Sequence, residues 1–319
     1  MVKLIYLIGL PGSGKSTFVE KIAKKEKAEV VSSDSVRQEK YFDRTKQKNP
    51  GYIFRMVYTK VEEILSEGRS AIIDATNIER EKREKFINKF DGIEKECYYL
   101  DVPYEKTIER NNNRKRTVPE RIMKRMRLKL DFPYINEGWD NMHFVHESSD
   151  YGISKEEFIS LIKEGSTYDK LFNRLKSISI FNDIYRFNQE NPYHSMPLCE
   201  HTYSVLEYVN EEYGEDDKLA LQLAALFHDI GKPFCKVYKQ HKGYYSYYGH
   251  EKVSAQIACH FLNELGFEKD FVLKTIGLIE MHMKIAYGGE SGASEIYHLL
   301  GDENLWKLYF FNEADRYAK

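Results

Sequence analysis

The stretch LIYLIGLPGSGKST, residues 4–17, determines how the first half of the chain folds. An apolar run ends at a glycine-rich turn that fits the pattern G-x-x-x-x-G-K-[ST], and an amphipathic segment follows. Between a strand and a helix, this pattern forms a loop whose backbone N–H groups surround a β-phosphate, while the lysine reaches the β- and γ-phosphates and the next hydroxyl ligates Mg²⁺. We therefore predict that ATP with Mg²⁺ binds at Gly12, Ser13, Gly14, Lys15, Ser16 and Thr17, with Ser16 as the Mg²⁺ ligand.

Short apolar runs alternate with charged helical segments through the first half of the chain, which predicts a parallel sheet with crossover helices. The predicted strands are residues 3–10, 28–33, 70–75, 95–102 and 142–146. Beyond them the pattern is helical, over residues 200–213, 216–229, 250–265, 269–283 and 302–317. The sequence thus predicts an α/β domain over residues 1–165 and an all-α domain over residues 166–319.

Charge and composition exclude several classes of protein. The 319 residues carry 48 Lys and Arg against 50 Asp and Glu, so a polyanionic partner would need a local basic surface. The hydrophobic content of 42% is enough for a core in each half, which excludes disordered and fibrous proteins. The four cysteines form no C-x-x-C pair, and no apolar run reaches the roughly 18 residues that span a bilayer. We expect a soluble cytoplasmic protein without a membrane partner.

The residues after the second and third predicted strands indicate phosphoryl transfer rather than ATP hydrolysis. Asp34 follows the second strand at the carboxyl edge of the sheet, where it could accept a proton from an acceptor hydroxyl; the alternative is a helix N-cap. Arg37 would share its helical face and bind an acceptor phosphate. The third strand ends at Asp74 without the Asp-Glu pair of water-activating NTPases, so we expect Asp74 to be structural or to contact Mg²⁺ indirectly.

Residues 110–129 form a basic segment in a chain that is otherwise balanced in charge, with nine basic residues and one acid. Arg110 and Arg114 have i, i+4 spacing before a predicted break. We predict that both bind phosphate from a lid helix that closes over the transferred group. Lys124 and Arg127 are expected to extend this surface along a polynucleotide. The alternative is a solvent-exposed helix face.

A second group of chemistry-bearing residues is spread over the predicted helices of the second half. Its order is H…HD…H…H…D. Imidazole and carboxylate ligands without thiolate suit Mn, Fe, Co, Ni or Zn, and six ligands allow one ion or two. His250 and His282 could instead contact a substrate phosphate, and His260 is turned away from His250 and is expected to be structural. The predicted metal ligands are His201, His228, Asp229, His250, His282 and Asp315.

The first half resembles the phage-type polynucleotide 5′-hydroxyl kinases over about residues 1–150. The resemblance implies that Asp34 is the general base, that Arg37 binds the acceptor phosphate, and that Arg114 stabilises the transferred phosphate. Related kinases of small molecules or tRNA share some of these features. Besides the glycine-rich loop, the segments that carry the resemblance are SDSVR at 33–37, DATN at 74–77, RNNNR at 110–114 and VP at 118–119.

The second half resembles the HD phosphohydrolase superfamily over residues 170–319, in particular the HD domains of bacterial tRNA nucleotidyltransferases and of end-healing kinases. Those domains act on phosphoesters at RNA ends. The resemblance implies metal-dependent hydrolysis, with Asp229 as the central residue and His194, Lys232 and Lys284 as candidate phosphate contacts. The segments that carry it are NPYH at 191–194, EHT at 200–202, HDIGKP at 228–233 and YGHE at 248–251.

Together the two resemblances imply a bifunctional polynucleotide kinase: an α/β P-loop kinase domain followed by an all-α HD domain. It would phosphorylate 5′-OH ends with ATP and hydrolyse 2′,3′-cyclic or 3′-phosphate ends, preparing cut RNA or DNA for a separate ligase. Lys15, Asp34, Arg114 and Asp229 are the predicted catalytic residues. Two alternatives remain open: a small-molecule or nucleotide kinase joined to an HD nucleotidase, and an ATP-controlled nucleic-acid-binding switch.

Overall fold

A computed structural model describes residues 1–44, 46, 48–163 and 165–318. It divides the chain into two compact units, Met1–Glu147 and Ser148–Lys319. The boundary predicted from the sequence lies later, near residue 165. The segment between the two boundaries goes with the second unit because the ring of Phe158 packs there, with its centroid 4.8 Å from that of Phe261.

The first unit is a five-stranded parallel sheet with helices between its strands, as predicted. The strands β1 (Lys3–Ile8), β2 (Glu29–Ser32), β3 (Ala71–Asp74), β4 (Glu94–Asp101) and β5 (Asn141–His146) lie in the order β2-β3-β1-β4-β5. A 3-10 helix spans Ile135–Glu137. The α-helices of this unit are α1 (Lys15–Glu26), α2 (Ser33–Tyr41), α3 (Pro50–Ser66), α4 (Arg80–Ile87), α5 (Tyr104–Asn112) and α6 (Glu120–Lys129).

β1 is the central strand of this sheet. From Leu4 to Ile8 each side chain is 0% exposed, as expected for a strand covered by helices on both faces. β2 pairs with β3 so that Ser32 lies opposite Asp74. Because all the strands are parallel, the loops after β1, β2 and β3 leave the sheet at the same edge. The glycine-rich loop and Asp34 therefore both lie at this edge.

A buried ion pair joins α4 to the 3-10 helix. Arg83 donates to both carboxylate oxygens of Glu137, from Nε at 2.8 Å and from Nη2 at 2.7 Å, and both side chains are buried. Arg83 also donates to the carbonyl oxygen of Asn77 at 2.9 Å, and the indole N–H of Trp139 donates to Glu137 at 3.2 Å. Because each charge has partners, its desolvation is offset, and the segment after β3 is fixed in position.

The second unit is helical, as predicted, and all five of the predicted helices are present. The last of them is joined to the helical segment before it at Gly301, whose φ of 80° and ψ of 174° interrupt the helix. The helices of this unit are α7 (Lys155–Ile162), α8 (Tyr168–Leu175), α9 (Ser179–Asn182), α10 (Leu198–Glu212), α11 (Lys218–Phe227), α12 (Lys232–Cys235), α13 (His250–Glu264), α14 (Lys269–Tyr287) and α15 (Gly289–Tyr317).

An antiparallel hairpin interrupts the helices between α12 and α13. It consists of β6 (Val237–Lys239) and β7 (Tyr244–Ser246). The hairpin could not be predicted from the sequence, because strands of three residues are too short for an alternating pattern to be recognised. Among the residues that the structure describes, none of the helices combines the length and the apolar character needed to cross a membrane.

Removing the carboxylate of Glu137 is expected to destabilise the first unit strongly. Glu137→Ala leaves the buried charge of Arg83 without its partner, which typically costs about 3–5 kcal/mol of unfolding free energy. Both proteins are compared in a Trp306→Phe background. Tryptophan fluorescence during urea unfolding then reports on the first unit alone, since Trp139 is the only tryptophan left.

The matched control is Glu39→Ala, which removes an exposed carboxylate paired with Lys60 and should cost less than about 1 kcal/mol. Equal losses for the two variants would show that the buried pair does not fix this part of the fold.

Candidate active sites

The glycine-rich loop joins β1 to α1 and depends on two glycines with positive φ. Gly12 has φ 88° and Gly14 has φ 86°, values that other L-residues rarely adopt. A Cβ atom on Gly12 would overlap the carbonyl oxygen of Thr107, so α5 packs directly on the loop. Ser16 and Thr17 are exposed in the first turn of α1, at the positive end of its dipole. The loop therefore has the form expected for phosphate binding.

Lys15 is held against this loop. Its Nζ donates to the carbonyl oxygens of Gly9 at 2.8 Å and Leu10 at 2.6 Å, the first two residues of the loop. Burial lowers the pKa of Lys15 to about 8, although the negative charge of Asp74 acts in the opposite direction; the positive charge of Arg114 adds to the lowering. The carboxylate of Asp34 also acts on this pKa, so the charges of three side chains from different segments converge on the lysine.

Asp34 lies in the first turn of α2 and is joined to two arginines. Nη1 of Arg37 donates to its Oδ1 at 2.8 Å, and Nη1 of Arg116 donates to its Oδ2 at 3.0 Å. The helix is capped by Ser32, whose hydroxyl accepts the N–H of Asp34 at 3.2 Å. The Asp34 carboxylate therefore has no capping role, and with 48% of its side chain exposed it is open to an acceptor.

Arg37 is a buried cation. It is 6% exposed, and its Nη1 also donates to the hydroxyl of Ser33 at 3.1 Å. Its Nε has no hydrogen-bond partner among the residues that the structure describes. A guanidinium with an unused donor beside Asp34 is suited to a second anion such as an acceptor phosphate.

The segment after β3 holds the glycine-rich loop in place. The side-chain amide of Asn77 donates to carbonyl oxygens in β1 and β3 at 2.8 and 3.3 Å, and the carbonyl oxygen of Thr76 accepts the N–H of Gly9 at 3.2 Å. Burial raises the pKa of Asp74, while the charge of Lys15 acts in the opposite direction. The charges of Asp74 and Lys15 thus act on each other, while the neighbours of Asp74 in sequence position the loop.

The basic segment is divided between two helices and the loop that joins them. α5 ends at Asn112, so Arg110 lies in this helix whereas Arg114 lies in the loop. The prediction that they share the face of one lid helix is therefore wrong. Arg110 is paired with Glu147, through Nη2 to Oε1 at 2.8 Å and Nη1 to Oε2 at 2.6 Å. Its guanidinium is engaged by this carboxylate, unlike that of Arg114, whose charge reaches Lys15.

A buried asparagine closes this loop. Oδ1 of Asn111 accepts the N–H of Val118 at 2.9 Å, and Nδ2 donates to the carbonyl oxygen of Val118 at 2.9 Å. The two bonds fold residues 112–117 back on themselves, which ends the helix. The loop exposes Arg114 and brings Arg116 to Asp34.

α6 presents only part of its basic side chains to solvent. Lys124 is exposed, as predicted, but Arg127 is 5% exposed and its guanidinium lies 4.3 Å from the ring centroid of Tyr104. The prediction that Arg127 extends a polynucleotide surface is wrong, because its charge packs against an aromatic ring of α5. The exposed basic residues of the loop and α6 are Arg114, Lys115, Arg116, Arg121, Lys124, Arg125 and Lys129.

Five helices of the second unit bring six ligand-type side chains together. Three belong to or directly follow α10 and α11, and three belong to α13, α14 and α15. They form two groups, each with ligand atoms within 4.8 Å of one another. The first group is His201, His228 and Asp315, and the second is Asp229, His250 and His282.

The carboxylate of Asp229 joins the two groups. Its Oδ2 lies 3.4 Å from Nε2 of His201 and 3.2 Å from Nε2 of His228. Its Oδ1 lies 3.0 Å from Nε2 of His250. Asp315 completes the first group, with Oδ1 3.1 Å from Nε2 of His201. One carboxylate oxygen directed to each group suits a bridge between two cations.

The four imidazoles of this cluster are oriented in the same way. Each Nδ1 makes a hydrogen bond to a backbone carbonyl oxygen, at 2.9 Å for His201, His228 and His250 and at 2.6 Å for His282. Since a carbonyl oxygen only accepts, each Nδ1 carries a proton, and each ring directs its Nε2 atom into the cluster.

The Nε2 atoms lie in close pairs. The distance is 3.2 Å from His201 to His228 and 3.3 Å from His250 to His282. Two lone pairs at this distance repel each other unless a proton or a cation lies between them. Two nitrogen ligands at about 2.1 Å from one cation are separated by a similar distance, so this donor set fits divalent metal ions.

Charges within the cluster shift several pKa values. Burial would raise the pKa of Asp229, but the charges of Lys232 and His228 outweigh burial and hold it well below its usual range. Burial would lower the pKa of His201, but hydrogen bonds with Asp229 and Asp315 raise it to about 9. Burial, reinforced by neighbouring imidazoles, lowers the pKa of His282 to about 3. The carboxylates are therefore ionised at neutral pH and available to a cation.

The three predicted phosphate contacts differ in their surroundings. Nζ of Lys232 is buried, 2.6 Å from Oδ2 of Asp229 and 2.8 Å from Oε1 of Gln189. The ring of His194 lies 5.7 Å from that of His201, and its Nδ1 has no hydrogen-bond partner among the described residues.

Lys284 forms an ion pair with Glu295 of α15. His260, expected to be structural, makes a hydrogen bond from its ring to the hydroxyl of Ser149 at 2.9 Å.

Several residues that shape these sites were not predicted. Arg116 was counted in the basic segment but not as a partner of Asp34, because the loop that brings them together is closed by a side-chain bond. Thr107 contributes only its backbone. Gln189 and Tyr247 hold Lys232 and His250 from outside the histidine motif, and no spacing rule links them to it.

Comparison with known families agrees with this division. Residues 4–133 match the model of the AAA domain family, and residues 198–317 match that of the HD domain family. The chain joins an AAA domain to an HD domain. This confirms the two resemblances predicted from the sequence at the level of the domain families. A P-loop domain of this type implies a nucleotide with Mg²⁺, and the HD domain, with its two ligand groups, implies divalent metal ions.

Individual proteins resemble parts of the chain. It is 34% identical over 125 residues, 39% of its length, to the CC-adding tRNA nucleotidyltransferase of Thermus thermophilus. It is 31% identical over 148 residues, 43% of its length, to the L-seryl-tRNA(Sec) kinase of Methanococcus maripaludis. The chain spans 28% and 56% of these relatives. A chain in the structure of the Pnkp1/Rnl/Hen1 RNA repair complex is 24% identical, with a TM-score of 0.37, covering 40% of this chain and 44% of that chain.

We expect the AAA domain to lose ATP binding when Gly12 is replaced by alanine. The new Cβ would overlap the carbonyl oxygen of Thr107 and require a positive φ, so the loop has to move away from α5. Isothermal titration with ATP and Mg²⁺ should show at least a tenfold weaker affinity.

The control is Gly68→Ala, at a residue with φ 75° where an added Cβ would meet no atom within 4 Å. It carries only the backbone strain of about 1–3 kcal/mol and should bind ATP normally. A Gly12→Ala protein with unchanged ATP affinity would contradict the close packing of loop and helix.

Metal analysis of the purified protein should find two equivalents in the HD domain. Asp229→Asn removes the charge that bridges both groups and should lose most of the metal, whereas His282→Ala should lose about one equivalent. His298→Ala, an exposed histidine of α15, is the control and should keep both. A full metal content in Asp229→Asn would rule out the bridging role.

Proposed function

We propose that this chain heals broken polynucleotide ends. Its AAA domain transfers the γ-phosphate of ATP to a 5′-OH, and its HD domain hydrolyses a 2′,3′-cyclic or 3′-phosphate end. The observation that carries the proposal is the position of Asp34. Its exposed carboxylate lies between two arginines, and the negative charge of that carboxylate acts on Lys15. Such a group serves an incoming hydroxyl, which a simple ATP hydrolase does not have.

In the proposed transfer, each side chain has a separate task. Asp34 accepts the proton of the acceptor hydroxyl while the hydroxyl oxygen attacks the γ-phosphorus. The bond between the γ-phosphorus and the oxygen of the β-phosphate breaks, and ADP leaves. The guanidinium of Arg37 binds the phosphate adjoining the acceptor. Arg114 and Lys15 stabilise the negative charge on the transferred group. Ser16 would hold Mg²⁺, which when bound neutralises charge on the β- and γ-phosphates.

For the HD domain we propose that the six histidine and aspartate ligands hold one cation in each group, of the kind that prefers nitrogen and oxygen ligands, such as Mn, Fe, Co, Ni or Zn. When bound, such cations activate water and polarise a phosphoester. Lys232, with its Nζ 2.6 Å from Oδ2 of Asp229, holds this carboxylate between the two groups.

Burial, together with the charge of Lys232, lowers the pKa of His194 to about 4, so its ring is neutral at pH 7. We propose that this neutral ring contacts a substrate phosphate.

RNA is the favoured substrate class. The names of both curated relatives contain tRNA, one as a nucleotidyltransferase and one as a kinase. The exposed basic side chains beside Asp34 support a polymeric acceptor rather than a free metabolite, because single phosphates need fewer cations.

The kinase relative also supports a second candidate, in which the acceptor hydroxyl belongs to a seryl group carried on tRNA.

One substrate tests both activities. A single-stranded RNA of about 20 nucleotides with a 5′-OH and a 3′-phosphate is incubated with ATP labelled at the γ-phosphate, and its two ends are analysed separately. Asp34→Asn should slow 5′ labelling by about 10²–10⁴-fold and leave 3′ hydrolysis intact. Asp229→Asn should slow 3′ hydrolysis and leave 5′ labelling intact. Glu39→Gln, an exposed acid on the same helix as Asp34, should keep both activities.

Other outcomes identify the alternatives. Equal phosphorylation of a free nucleoside and the RNA would indicate a small-molecule kinase joined to a nucleotidase. Phosphorylation of seryl-tRNA alone would favour the second candidate. ATP-dependent RNA binding without any transfer would indicate a binding switch.

A further inference from the structure

The hairpin between α12 and α13 has an unusual composition. From residue 230 to residue 250 there is no acidic residue, whereas there are four lysines and six aromatic residues. The chain as a whole is balanced in charge, with 48 basic against 50 acidic side chains. Lys232 is buried on Asp229 and Lys236 is paired with Glu190, so Lys239 and Lys242 are the cations left for a basic and aromatic surface outside the metal cluster.

The pairing of the two strands sorts these side chains onto two faces. Lys239 lies opposite Tyr244, and Tyr238 lies opposite Tyr245. Because neighbouring residues of a strand point to opposite faces, Lys239 and Tyr244 share one face while Tyr238 and Tyr245 share the other.

Lysines and tyrosines interleave on the first face. Nζ of Lys242 lies 5.7 Å from the ring centroid of Tyr244 and 5.3 Å from that of Tyr248, and Nζ of Lys239 lies 5.3 Å from that of Tyr248. The ring of Tyr193 packs edge-on against Tyr244 at 5.8 Å. Tyr193 and Tyr248 are 65% and 63% exposed, so large parts of their rings are in contact with solvent. We call these five side chains the tyrosine-lysine platform.

The platform leads directly into the metal cluster. Tyr193 is followed by His194, whose ring lies 5.7 Å from that of His201. At the other end, Tyr248 is two residues before His250, and the carbonyl oxygen of Tyr247 accepts the hydrogen bond that orients the His250 ring. A molecule lying on the platform would therefore have its end at the cluster.

We propose that the tyrosine-lysine platform binds the last nucleotides of a single-stranded polynucleotide and places its 3′ end at the HD cluster; the destination of that end rests on the proposed function. Bases stack on exposed aromatic rings irrespective of sequence, and lysines neutralise the phosphates between them. The bases of a duplex are already stacked and paired, so they do not reach the tyrosines. The absence of carboxylates in the segment removes the repulsion that a polyanion would otherwise meet.

Binding of a labelled single-stranded RNA 8-mer tests the aromatic part. The RNA carries a 5′-phosphate, so it is no acceptor for the kinase reaction, and a non-hydrolysable 3′-phosphorothioate. Fluorescence anisotropy with the full chain and its metals should give an affinity about tenfold weaker for Tyr244→Leu/Tyr248→Leu than for the unsubstituted protein. Tyr238→Leu removes a 54% exposed tyrosine from the opposite face and should change the affinity less than twofold.

The dependence of this affinity on salt tests the lysines. Lys242→Gln should reduce the slope of log K against log salt concentration by about 0.7, as expected for one fewer phosphate contact with a single strand. Lys170→Gln, at an exposed lysine of α8, should leave the slope unchanged. Far-UV circular dichroism and metal content confirm that each variant is folded.

The binding result is separate from the hydrolysis result. Unchanged affinity and salt slope in the platform variants would overturn the platform, even if the protein hydrolyses 3′-phosphates. Weakened single-strand binding would support it, even if no hydrolysis is found and the proposed function fails. An equal loss of affinity for a blunt RNA duplex would also overturn it, because stacking on the tyrosines requires unpaired bases.

Discussion

The geometry of the histidine-aspartate cluster in the second unit depends on the hydrogen bonds between imidazole Nδ1 atoms and backbone carbonyl oxygens. Without them the rings of His201, His228, His250 and His282 could rotate, and either nitrogen could face the cluster. The carbonyl oxygens belong to the backbone, so the fold itself sets the direction of the ligands. Asp229 then has a defined place between two groups of Nε2 atoms. Burying this much polar surface is favourable only because each group has a partner.

The first unit uses the same principle with different chemistry. Gly12 lets α5 approach the phosphate loop so closely that no other side chain fits, and Asn111 then ends that helix and turns the chain back. The two contacts place the basic loop near Asp34 and Lys15. Lys15, Arg37 and the arginines of the loop thus bring positive charge from three segments to one site.

The sequence predicted the features that arise from local pattern. These are the positions of the five strands along the chain, the glycine-rich loop and the histidine series. Each follows from the spacing of residue types, and the structure has each of them where it was expected. The sequence did not predict what depends on a single side-chain contact: the Asn111 bonds that end α5 between Arg110 and Arg114, or the ring of Tyr104 that buries Arg127. Phe158 is similar, because its partners lie beyond the predicted boundary. The six side chains of the cluster could be predicted as a set, whereas the position of Asp229 between the two groups depends on how the helices pack.

The ligand groups also have a thermodynamic consequence. Their side chains come from or directly follow α10, α11, α13, α14 and α15, so each bound cation acts as a reversible cross-link between helices that are distant in sequence. A ligand that binds only the folded state stabilises it by RT ln(1 + [L]/Kd). The melting temperature of the second unit would therefore depend on the free concentration of such a cation. Cellular metal supply would then set how long the second unit stays folded.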